Sequence, residues 1–153
     1  MAAVSTRDVP DHGIDEDRIA DLKLILSETK LRLMQQLLAS PTGALSSPEL
    51  GARNEITEST IRDHLSDLRS REPQIVTTLE PSESPVPNGI PRTYFAVTEY
   101  GIDLLKQVGL YEQIGLLYDL YSAADLELQD PESHPVTLED IESYEHRPTP
   151  DWF

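Results

Sequence analysis

The chain has 153 residues, a hydrophobic share of 38% and a formal net charge of -16, so it can build one compact core with an appendage but hardly two domains. It contains no cysteine, which excludes disulfides, thiolate metal sites and cysteine nucleophiles. No apolar run is long enough to span a bilayer, and the first residues, Met1 to Pro10, hold no apolar stretch of signal-peptide type, so a cytoplasmic protein is expected.

Residues 1–14 are polar, contain Pro10 and Gly13, and read as a disordered arm. A helix is expected from Asp15 to Leu26, with Ile19, Leu22 and Leu26 on one stripe. Ser27 offers a new cap, and the helix that follows to Ala39 places Leu31, Met34 and Leu38 on one face with Leu33 and Leu37 beside it. Ser40-Pro41-Thr42-Gly43 ends it. Ala44-Leu45-Ser46 reads as one small strand. Ser47-Pro48-Glu49 is a helix start, with a capping serine, a proline at the first helical position and an acid facing the positive helix end. This helix is short, about Pro48 to Arg53, and Asn54-Glu55-Ile56 makes the turn.

Thr57 caps a third helix of this group, in which Ile61, Leu65 and Leu68 recur at i, i+4, i+7 and therefore face the core. Its opposite face is polar: Ser59, Thr60, Arg62, Asp63, Ser66 and Arg69. Two β-rich runs, Ile75–Leu79 and Ile90–Val97, flank a loop rich in Pro, Ser and Gly and predict a hairpin with a long tip. Thr98 caps a helix from Glu99 to Val108 that Gly109 terminates, and a further helix is expected from Tyr111 to Ala124. From Asp125 the composition shifts to acids and prolines, an extended tail in which Thr137 to Tyr144 can form one short helix and Trp152-Phe153 dock back onto the body. Residues 98–153 carry 13 acids and 2 bases, so most of the negative excess lies in the last third.

The order helix, small strand, short helix, turn, helix, hairpin, helix predicts a mainly α fold with a small β-hairpin wing: a winged helix-turn-helix over residues 15–108, a dimerisation helix over 109–124 and an acidic tail over 125–153. The segment from Ser47 through Ile56-Thr57 to His64-Leu65 and Arg69, continued by the wing and by Arg92-Thr93-Tyr94 through Thr98 to Gly101, resembles the ArsR- and MarR-like transcriptional regulators. The tail and the acidic, lysine-poor composition resemble members of haloarchaeal type.

That resemblance implies a double-stranded DNA partner read in the major groove by the start of the third helix. Carried over by position, it makes Thr57, Ser59, Thr60, Arg62 and His64 the base readers. Asp63 stands where a basic or polar residue is usual and is left out of that set. Arg69 and Arg71 at the helix end, Asn88 at the wing tip and Arg92, the wing's only base, are the expected phosphate or minor-groove contacts. The stripe Leu104, Val108, Ile114, Leu117, Tyr118 and Tyr121 is more apolar than one core needs and predicts a homodimer. A protein-interaction module in transcription or replication machinery is the alternative, favoured by the weakly basic recognition face. His12, His134 and His146 lack ligand partners at helical spacing, and there is no phosphate loop or nucleophile motif, so neither a metal, a cofactor nor an enzyme activity is expected.

Overall fold

A computed structural model describes residues 15–112, 114 and 137–153. Their elements are α1 (Glu16–Ile25), α2 (Glu28–Ala39), α3 (Ser47–Asn54), α4 (Glu58–Arg69), β1 (Val76–Leu79), β2 (Tyr94–Val97), α5 (Glu99–Gln107) and α6 (Thr137–Ser143). The expected 1–14 arm, most of the Tyr111–Ala124 helix and the start of the tail lie outside the described residues.

The helices pack around α2, whose Leu33, Met34 and Leu37 are fully buried. Ile61, Leu65 and Leu68 of α4 meet them, as their spacing predicts, together with Leu50 of α3 and Leu104 and Leu105 of α5. Thr57 caps α4 as expected, its hydroxyl accepting from the Thr60 amide at 3.2 Å. β1 and β2 form an antiparallel hairpin in the register Val76 to Val97 and Leu79 to Tyr94. The small strand expected at Leu45 is a single bridge to Phe95.

Two local expectations are corrected. The cap of α3 is Ser46, not Ser47: the Glu49 carboxylate accepts from the Ser46 amide at 2.9 Å and its hydroxyl at 2.8 Å, which starts the helix one residue earlier. On α1 the buried positions are Asp21 and Ile25, whereas Leu26, expected on the core stripe, is exposed. The cause is polar. Asp21 is drawn inward by Arg71 at the end of α4 and by Tyr100 of α5, which both donate to its carboxylate.

The turn from hairpin to α5 explains the residues that return the chain there. Thr98 accepts from the Gly101 amide at 3.0 Å and donates to the Gln74 carbonyl at 2.6 Å. A Cβ on Gly101 would stand 2.5 Å from the Ile75 carbonyl oxygen, so only glycine lets α5 lie this close to the root of the hairpin.

The described end of the tail is packed. Arg147 donates to the carbonyls of Ile141 at 2.7 Å and Ala44 at 2.9 Å, and pairs with Glu49 at 3.0 Å, both side chains being almost wholly buried. Its guanidinium also lies over the Tyr94 ring, 5.2 Å from the centroid. Of the expected Trp152-Phe153 docking, Trp152 follows by donating to the Val97 carbonyl at 2.8 Å, whereas Phe153 stays mostly exposed. Tyr144 donates to Glu83 of the wing at 2.7 Å.

Candidate nucleic-acid interface

Helix α4 separates its residues by face. Its apolar side is locked onto α2 and α3, and Ser59, Thr60, Arg62, Asp63, Ser66 and Asp67 are left exposed. Thr57, Ser59 and Thr60 gather at its N-terminus with their hydroxyls in contact, the Thr57 hydroxyl 2.9 Å from that of Thr60 and 3.3 Å from that of Ser59. The N-terminus of a helix presents unpaired amides, so this cluster sits where an acceptor such as a phosphate oxygen is favoured.

The cations around this face differ in freedom. Arg62 makes an exposed i,i+4 pair with Glu58 at 3.4 Å, a weak contact that a stronger partner can replace. Arg71 has its Nε committed to Asp21, which leaves its remaining guanidinium hydrogens for any outside acceptor. That pairing also raises the Arg71 pKa, mainly through its hydrogen bond to Asp21. Arg69 and Arg92 are exposed and, among the described residues, take part in no ion pair. His64 is half-buried on the flank of α4 facing α2, where its Nδ1 lies 3.1 Å from Lys30 Nζ. Lys30 also pairs with Asp67 at 3.2 Å.

The hairpin carries Asn88 and Arg92 as exposed residues, and Gly89 adopts φ 88, a left-handed turn that explains Asn88-Gly89 at the tip. Thus Thr57, Ser59, Thr60 and Arg62 share one exposed surface, Asn88 and Arg92 stand on the wing, and Arg71 is turned toward α1. Of the expected dimer residues, Leu104 is fully buried in its own chain's core, so it cannot itself touch a second copy. Val108 and Ile114 are half-buried, and Leu117, Tyr118 and Tyr121 lie outside the described residues.

Lys30, Asp21 and the Glu49–Arg147 pair were not expected. Lys30 had a signal, because it stands three, four and seven residues before Leu33, Met34 and Leu37 and so interrupts an apolar face with a cation. Among the described residues no group of side chains can hold a metal ion, and no helix is long and apolar enough to cross a membrane.

Three helices capped by a tight turn, a recognition helix open on one side and a hairpin beside it define a winged helix-turn-helix protein. A solved structure from Halomicrobium mukohataei, described as a protein with a GntR superfamily winged-helix-turn-helix domain, is similar at 33% identity and a TM-score of 0.73, over 90% of each chain. The chain belongs to this family of GntR-superfamily winged-helix-turn-helix proteins. No protein-family model matches the sequence, and no curated protein matches it.

Proposed function

We propose that the chain is a sequence-specific double-stranded DNA-binding transcription regulator, cytoplasmic and without catalytic activity. It inserts the start of α4 into the major groove and lays the hairpin beside it as a wing. The observation that carries this reading is the division of α4: Ile61, Leu65 and Leu68 are fully buried while the opposite face is polar and open. Thr57, Ser59, Thr60, Arg62 and His64 read bases; Arg69, Arg71, Asn88 and Arg92 hold the backbone. Val108 and Ile114, with Leu117, Tyr118 and Tyr121, supply the face on which two copies pair, placing two recognition helices about one DNA turn, roughly 34 Å, apart. The ArsR/MarR-like spacing of the motif supports the same reading, and the acidic composition fits a host with concentrated internal salt.

The salt dependence of binding is the test. Phosphate neutralisation by cations makes affinity fall steeply as salt rises. With 28 acids against 12 bases, carboxylates at this interface take up cations as DNA approaches and offset that release. Gel shifts on the protein's own promoter over a potassium series are expected to show a shallow or inverted slope. Failure to shift any genomic fragment at any salt sinks the DNA reading.

One observation favours a second reading, a protein-interaction module. Around α4, Arg62, Lys30 and Arg71 each face a carboxylate of the same chain, at Glu58, Asp67 and Asp21. If Arg62→Ala leaves DNA affinity unchanged while a protein partner still co-purifies, the module reading prevails.

A further inference from the structure

Lys30 lies in the first turn of α2 and is almost wholly buried, its ammonium held between His64 Nδ1 at 3.1 Å and Asp67 Oδ2 at 3.2 Å. An ammonium has three donors and no acceptor. The ring nitrogen it approaches must therefore accept, and it can do so only when it carries no proton. The proton of the neutral imidazole is then confined to Nε2, the nitrogen on the far side of the ring from Lys30. Asp67 keeps the arrangement in place, because it offsets the buried charge that would otherwise oppose it.

We infer that Lys30 presets His64 as a hydrogen-bond donor on the flank of α4, so that His64 accepts a base whose major-groove edge offers an acceptor and rejects cytosine, whose edge offers only a donor. This rests on the DNA-binding reading and deepens it, since it assigns one residue the exclusion of one base. Lys30 touches no base itself and is a positioning residue. The edge chemistry does the selecting: guanine presents N7 and O6, adenine N7 and thymine O4 as acceptors, whereas cytosine presents only its N4 amino group. Without Lys30 the imidazole is free to move its proton to Nδ1, leaving Nε2 an acceptor, and the ring then tolerates either edge.

Two measurements on the full chain test this. In the free protein labelled with nitrogen-15, long-range correlations in the imidazole show which ring nitrogen of His64 bears the proton. The expected result is Nε2 in the wild type and in Lys30→Arg, which keeps a donor-only group, and a mixture of tautomers in Lys30→Met. A proton on Nδ1 in the wild type overturns the proposal without any reference to DNA.

The second measurement is selection from randomised duplexes at fixed salt. Wild type and Lys30→Arg should exclude cytosine at one position of the site, and His64→Ala should lose that exclusion. A change to cytosine there should weaken wild-type binding about tenfold and Lys30→Met about twofold, with the other positions unmoved. Lys30→Met losing selectivity evenly across all positions marks a merely structural lysine and also overturns the proposal. If the wild type selects no duplex at all, the DNA reading falls and takes the exclusion of cytosine with it, while the spectrum decides the tautomer by itself.

Discussion

The open face of α4 and the docked end of the tail both use arginine, and they use it in opposite ways. Arg147 is enclosed, with two carbonyls, a carboxylate and an aromatic ring around one guanidinium. Arg62 stands in solvent with one distant carboxylate, and Arg92 stands exposed on the wing. An enclosed guanidinium has spent its donors on the fold and has none to offer a partner. An exposed one contributes little to the fold and keeps its donors for whatever approaches. The difference teaches that position in the acid–base pairing, and not the count of bases, decides which cations of this acidic chain can bind.

The largest expected effect tests the enclosed side. Arg147→Ala leaves Glu49 buried without its cation at the start of α3, and should destabilise the protein by about 3–5 kcal/mol in urea unfolding. A loss below about 1 kcal/mol would show that water reaches Glu49 when the tail lets go, and would erase the contrast. Next comes the open side. Arg62→Ala should lower DNA affinity about tenfold and change unfolding free energy by less than about 0.5 kcal/mol. Equal losses of stability and affinity in that variant would break the division between the two regions.

The smallest effect is alkaline and touches both regions. Tyr100 donates to Asp21 and Tyr144 to Glu83. Burial, with the hydrogen bond to a carboxylate second, pushes each phenol up to about 12 from 10.0. The folded chain therefore holds these protons more firmly than the unfolded one. The stability they contribute is complete below pH 10 and is lost as pH rises toward 12. Tyr100→Phe and Tyr144→Phe should each flatten that decline in denaturation profiles taken across this window, and a profile unchanged by both substitutions would contradict the assignment.

The framework was legible because period and punctuation agree. The spacing of Ile61, Leu65 and Leu68, the cap at Thr57 and the Asn88-Gly89 turn each act within a few residues, and each stands where the sequence places it. The α1 stripe was misread because periodicity weighs apolar residues only. A buried carboxylate at Asp21 rotated the helix to meet partners 50 and 79 residues away. Lys30 is legible by the same periodicity, against the ordinary exposure of a lysine. The Arg147–Glu49 pair had no local signal at all, since nothing in either neighbourhood indicates the other. For the interface, the sequence names the residues but cannot tell a free arginine from a tethered one, which is how Arg71 and Arg92 looked alike.

The enclosure of Arg147 also has a consequence for the order in which the protein is made. Glu49 leaves the ribosome 98 residues ahead of the arginine that completes it. During that interval the helix-turn-helix can already gather its local contacts, but the start of α3 carries a carboxylate facing an unfinished wall. In synthesis time the helices can gather from near neighbours, whereas the seam at Glu49 can close only once the segment that carries Arg147 has emerged.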